Sequence, residues 1–254
     1  MAGILNLVVV AGIIMLSVRL TLSGLHRRYR AFFIYLIFAA LQEGVLGSIN
    51  PAGKPYYYIW AYTEPVAWVL YVWVVLELYG LVLEDYQGLA TVGRWALIAG
   101  IVLALAASGL SLIIPSQHTP QGHLMTYYYV TERAVYFSLV VFLVSILGFL
   151  LQYPIVLSRN IIVHSMVFSV YFVSTTIIYT VLSTSGLEKE RLEIVGDVMN
   201  GINIAALGVW LVMLNKAGES LKQRLRPAWM PGREEDLVHQ LNQLNTALLR
   251  ATRK

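Results

Sequence analysis

Trp60, Glu64, Trp68 and Tyr71 follow one another at helical steps, so on a helix they share a face on which one carboxylate is flanked by large aromatic rings. That is the chemistry of a cation site. The carboxylate supplies charge, and indole and phenol faces add the attraction by which amines and quaternary ammonium groups are held. Three further acids, Glu43, Glu132 and Asp197, stand at matching positions in other apolar runs. Arg133 follows Glu132 about 100° round the same helix, so the two reach different neighbours. Asn200 and Asn203 follow Asp197 at three-residue steps, and His164, Tyr171, Thr175 and Tyr179 form another polar stripe. The candidate ligand-binding set is therefore Glu43, Trp60, Glu64, Trp68, Tyr71, Glu132, Arg133, Asp197 and Asn200. A plainer reading makes the rings interfacial anchors and has Glu64 protonated or paired with Arg133, and for His164 alone interhelical hydrogen bonding is preferred.

The elements that must hold these residues are set by composition. The 254 residues are 58% hydrophobic and only 13% charged, with a mean hydropathy of +0.67. Soluble domains run nearer to about half apolar and a quarter charged, so a soluble reading fails and the bilayer is the solvent to reason with. Apolar runs at about Gly3–Leu22, Ala31–Ile49, Ile59–Leu83, Val92–Ile114, Tyr127–Leu151, Ile161–Leu182 and Ile194–Leu214 are each long enough for roughly 30 Å of hydrocarbon. This predicts an all-α, seven-span bundle over residues 1–215. Carboxylates at such depth cost some 2.5–3.5 kcal/mol each on insertion scales, which marks them as functional candidates. By its place in span two, three, five or seven, each of Glu43, Glu64, Glu132 and Asp197 lies within roughly 5–10 Å of one surface. The fourth run, with Ala96, Gly100, Ala104 and Ser108 at four-residue spacing, reads as a packing helix.

Basic residues orient the bundle. Arg27, Arg28 and Arg30 follow span one, Arg94 span three, Arg159 span five, and Lys216, Lys222, Arg224 and Arg226 span seven, whereas the other side carries Lys54, Lys189 and Arg191. The positive-inside rule then puts the N-terminus outside, the C-terminus in the cytoplasm and the four acids near the outer surface. The first run has no basic stretch before it and no A-x-A-like site, so it reads as a retained span. Residues 216–254 form a cytoplasmic basic tail, broken at Pro227 and Pro231, with a helix from about Arg233 to Arg250. Leu237, Leu241, Leu244 and Leu248 give that helix a short seam, suited to self-association, to a protein partner, or to lying on the membrane or docking on the bundle.

Several chemistries find no support. The formal charge of +4 and pI of about 9.2 come from loops and tail that face headgroups, so they argue for the lipid bilayer as partner and not for nucleic acid. There is no cysteine, the seventh span has no lysine for a retinal Schiff base, and only His164 of the histidines lies in a span, so a bis-histidine haem lacks its pair. His118 and His123 share a Pro/Gly-containing loop whose spacing is nonspecific for a metal. No motif names a catalytic residue, a metal site or a cofactor.

The stretch YYYIWAYTEPVAWVLYVWVVLELYGLV, the following EDYQGLATVGRWA, the later VTERAVYF and the tail DLVHQLNQLNTALL are similar to those of a group of functionally uncharacterised bacterial seven-helix integral membrane proteins. The resemblance runs from about Ala31 to Leu249. It implies the seven-span fold and residence in the bacterial cytoplasmic (inner) membrane, and it carries no residue roles. The expectation for function is a receptor-like or sensory module with an outward-facing acidic and aromatic cavity for a small or cationic ligand. An accessory subunit of a larger membrane complex and an ion or solute transporter are the alternatives.

Overall fold

The computed structural model describes residues 2–50, 53–84, 123–152, 156–184, 189–220, 222–224 and 234–252, with a few positions between 86 and 102. The predicted fourth span, Val92–Ile114, His118 and the break at Pro227 and Pro231 lie outside the described residues, apart from those few positions. The elements in chain order are α1 (Ala2–Ser23), a 3-10 turn (Leu25–Arg27), α2 (Arg30–Gly47), α3 (Lys54–Val82), α4 (His123–Gln152), β1 (Val156–Ser158), α5 (Arg159–Thr184), α6 (Lys189–Met213), α7 (Lys216–Ser220), β2 (Lys222–Arg224) and α8 (Glu234–Thr252). Among the described residues five helices are long and apolar enough to cross a membrane: Leu5–Ser23, Arg30–Gly47, Pro55–Val82, Arg159–Val181 and Ile194–Met213.

The surface of these helices is apolar as well as the core. Leu22, Val69, Val170 and Val212 are all exposed, the first at 84% and the last at 73%. In water so continuous an apolar surface would drive association, whereas in lipid it is the expected exterior. Several polar side chains are enclosed by it: Glu132, Asn160 and His164 are each 0% exposed.

Helices α1 to α6 close into a ring in chain order, with α1 packed on both α2 and α6, α2 on α3, α3 on α4, α4 on α5, and α5 on α6. Ring contacts fix direction. Tyr71 meets Tyr136 and Tyr79 meets Phe142, so α3 and α4 run parallel, while Tyr136 stacks on Tyr179 at the far end of α5. Beneath the ring's tail end, β1 and β2 pair antiparallel, Leu157 opposite Gln223.

Helix ends are capped by side chains from neighbouring helices. The Glu77 carboxylate of α3 accepts hydrogen bonds from the backbone N–H of Ala31 (2.9 Å) and Phe32 (3.3 Å), satisfying free donors in the first turn of α2. Arg19 of α1 donates to the carbonyl of Leu211 near the C-terminus of α6. Helix α1 itself stops at Gly24, which has a φ of 75° and whose N–H meets Thr21 O at 3.1 Å. A Cβ at Gly24 would meet nothing within 4 Å, so Gly24→Ala carries a backbone cost alone. We expect it to lower stability by about 1–2 kcal/mol, read as thermal unfolding in mild detergent.

The tail departs from the sequence reading. Within the expected basic segment Lys216 to Arg226, residues 216–220 form α7 and 222–224 the β2 strand. The leucine seam is not free either. Leu241 is 1% exposed and belongs to the bundle's core cluster, whereas Leu244 is 45% exposed, which favours the docked form of the amphipathic helix.

Candidate functional site

All six helices of the ring line one internal cavity of about 190 Å³. Its acids are Glu43 from α2 and Glu64 from α3. Its walls are aromatic, with Tyr35, Tyr56, Trp60, Tyr71, Tyr171 and Tyr179 among the lining side chains, and among the described residues no lysine, arginine or histidine lines it. A water molecule claims about 30 Å³ of liquid, so the space fits several waters or one small organic ion.

The wall is built by helical register. In α2, Tyr35, Gln42 and Glu43 recur after two turns, and in α3 Trp60, Glu64 and Tyr71 do the same, so each helix presents a ring and a carboxylate to one space. Gln42 Nε2 donates to Thr63 Oγ1 (2.9 Å) and to Glu64 Oε2 (3.3 Å), which fixes the Glu64 carboxylate. The hydroxyls of Tyr35, Tyr71 and Tyr171 form a chain, each link 3.1 Å long. Within this wall Tyr136 and Tyr179 stack with centroids 5.8 Å apart and planes 5° from parallel.

Glu132 of α4 is wholly buried beyond the cavity wall, within electrostatic reach of the Glu64 carboxylate, and neither of its carboxyl oxygens has a hydrogen-bond partner among the described residues. Tyr179 and Trp68 are its other polar neighbours. Glu43 lies within electrostatic reach of Glu64, so three acids from three helices gather at one level.

Of the sequence candidates, Glu43, Trp60, Glu64 and Tyr71 therefore line the cavity, and Glu132 and Trp68 stand immediately behind it. Arg133 is half-buried and does not line it. Asp197 is exposed and Asn200 half-buried, neither on the cavity wall, and Asn203 takes the place on α6 that was expected of them. Tyr35, Gln42 and Tyr136 were not anticipated, although Tyr35 and Gln42 stand seven residues apart on the same face of a span, a signal available in the sequence.

The cavity floor is Phe168 and Trp210. Below it His164 packs edge-on against Phe32 at 4.6 Å and tilts against Tyr29 at 4.7 Å, and neither of its ring nitrogens has a hydrogen-bond partner among the described residues. Tyr29 in turn reaches a polar junction at the tail end. Its hydroxyl donates to Glu219 Oε2 (2.7 Å), Asn160 Nδ2 donates to the same oxygen (3.1 Å) and to Asn215 O (2.9 Å), and Arg28 sits 3.4 Å from Glu219 and 2.6 Å from Glu84. The hydrogen bond to Glu84 holds the Arg28 guanidinium more firmly charged than usual.

No family model, curated protein or solved structure matches the chain.

Proposed function

We propose that the protein is a receptor-like membrane module that binds a small organic cation in this cavity, with the N-terminus outside and the tail in the cytoplasm. The observation that carries the reading is the lining itself: two carboxylates and a surround of tyrosine and tryptophan faces, with no basic side chain among the described lining residues. In such a box the carboxylates supply net attraction, and each well-placed ring adds about 0.5–2 kcal/mol once the cation is desolvated. The ring contacts support seven spans: α3 and α4 are parallel neighbours, so the chain has to return across the bundle between residues 84 and 123. With that crossing the termini fall on opposite sides, and the basic residues near the tail end orient the tail inward. A bacterial inner membrane is the residence this reading carries with it. Signalling fits the layout because the cavity floor touches His164, His164 packs on Tyr29, and Tyr29 holds the segment that leads into the tail.

Titrating the detergent-solubilised full chain with tetramethylammonium, choline and choline's neutral isostere 3,3-dimethylbutan-1-ol tests the reading by calorimetry. The cations should bind and the neutral molecule should not. Glu64→Gln should weaken cation binding on the order of 100-fold, the scale set by removing one partner of a buried charge pair. Equal binding of the neutral isostere would sink the cation reading. Transport of the same cation is the second reading, favoured by the nearness of Glu132 to Glu64; uptake into proteoliposomes separates it from binding alone.

A further inference from the structure

We propose that cation binding in the cavity is coupled to release of a proton from the Glu64–Glu132 pair; this rests on the cation reading above and names how the site is regulated. The observation is geometric. Glu64 faces the cavity, and Glu132, 0% exposed beyond the wall with neither carboxyl oxygen hydrogen-bonded among the described residues, lies within electrostatic reach of it. Two bare carboxylates within reach of each other in a low-dielectric wall repel strongly, so the pair holds either one proton or a cation. The empty and filled states of the cavity therefore differ by an exchange: the cation takes the place of the proton between Glu64 and the cavity, the carboxyl O–H bond breaks, and the proton leaves to solvent. Charge balances, since one positive charge enters as one departs.

Among the described residues that line the cavity, none supplies a positive charge. From α2 the cavity receives Tyr35 and Glu43, from α3 Tyr56 and Tyr71, from α4 Tyr136, and from α5 Tyr171 and Tyr179, all neutral or acidic. Helices α1 and α6 contribute no titratable side chain to it, and Arg133 lies off the cavity wall. The hydroxyl chain Tyr35, Tyr71 and Tyr171 offers the departing proton acceptors along the wall, and Gln42 holds the Glu64 carboxylate while it changes state.

The test is tetramethylammonium added to the full chain in weakly buffered detergent solution containing a pH dye, together with affinities measured between pH 5.5 and 8.5. We expect about one proton released per cation bound, and an apparent affinity that tightens towards tenfold for each pH unit in the range where the pair is protonated. Glu132→Gln should bind the cation without proton release and with affinity independent of pH, because Glu64 then faces an amide. Glu43→Gln should bind more weakly and still release the proton. Wild-type binding with no proton release and no pH dependence overturns the coupling while leaving the cation site standing. Release that persists in Glu132→Gln and vanishes in Glu43→Gln overturns the assignment to the pair. Absence of any cation binding removes the reading on which the coupling rests, and the coupling with it.

Discussion

Glu219→Ala will detach the C-terminal tail from the bundle, seen as rapid tryptic cleavage at Lys222 and Arg224 where the wild-type chain resists. In the intact junction one carboxylate accepts from Tyr29 (2.7 Å) and Asn160 (3.1 Å) and pairs with Arg28 (3.4 Å), so two separate stretches of chain converge on it. Hydrogen bonds to a charged group contribute about 1.5–3 kcal/mol each when shielded, and the Arg28 contact, with that side chain 39% exposed, adds little. A loss of about 2–4 kcal/mol of tail docking follows. The strand β2 begins only three residues later, so its pairing with β1 depends on that anchor. Glu84→Ala is the control: it touches the same arginine at 2.6 Å but is 57% exposed, and should change cleavage hardly at all. Gly218→Ala should reproduce the Glu219 effect by a different route, because its added methyl would run into the Asn160 carboxamide and leave Asn215 Oδ1 only 3.3 Å away. Equal cleavage in Glu84→Ala and Glu219→Ala would show that the junction does not anchor the tail. Tyr29 also gives the junction an alkaline limit. Burial, then the bond to Glu219, push its hydroxyl pKa upward, so its contribution is intact below the ordinary tyrosine value of about 10 and is lost as pH climbs through the raised one.

None of that junction was visible in the sequence, for a physical reason. Its members stand at positions 28, 29, 84, 160 and 219, in turns and helix ends, where no periodicity links them. The spans were legible because twenty-residue apolar runs are written in composition: α1, α2, α5 and α6 begin and end within five residues of the expected bounds. Register was legible within a helix but not between helices. Trp60, Glu64 and Tyr71 share a face as their spacing requires, whereas which neighbour that face meets depended on the rotation of every other helix. On α6 the inward stripe is Met199, Asn203, Ala206 and Trp210. Asp197 lies two residues before Met199, about 200° round the helix, and so points away from the cavity despite its matching depth. The work of Glu77 as a cap on α2 depends on a helix end that no pattern within α3 encodes. The three-residue strands β1 and β2 are too short to show a period of two at all.

Phe168→Ala should be the most destabilising single truncation at the cavity floor and should also change what the cavity accepts. The ring is 0% exposed and meets Trp210 at 4.9 Å, Phe172 at 5.5 Å and, edge-on, Phe32 at 5.7 Å. Removing it strips three aromatic contacts at once, and rings held from α2, α5 and α6 cannot all move inward to refill the gap. A cost of about 3–5 kcal/mol is expected in a thermal or denaturant unfolding series in detergent. Phe168→Leu keeps most of the volume and should cost less than about 1.5 kcal/mol. Because the same ring forms the floor, the alanine variant deepens the cavity toward His164, while Glu43 and Glu64 remain at the other end. A cation with an apolar tail, such as butyltrimethylammonium, should therefore gain affinity relative to tetramethylammonium in Phe168→Ala and not in Phe168→Leu. An unchanged preference in a folded Phe168→Ala chain would mean that the cation does not lie with its far end on this floor, and the path from ligand to Tyr29 would lose its first contact.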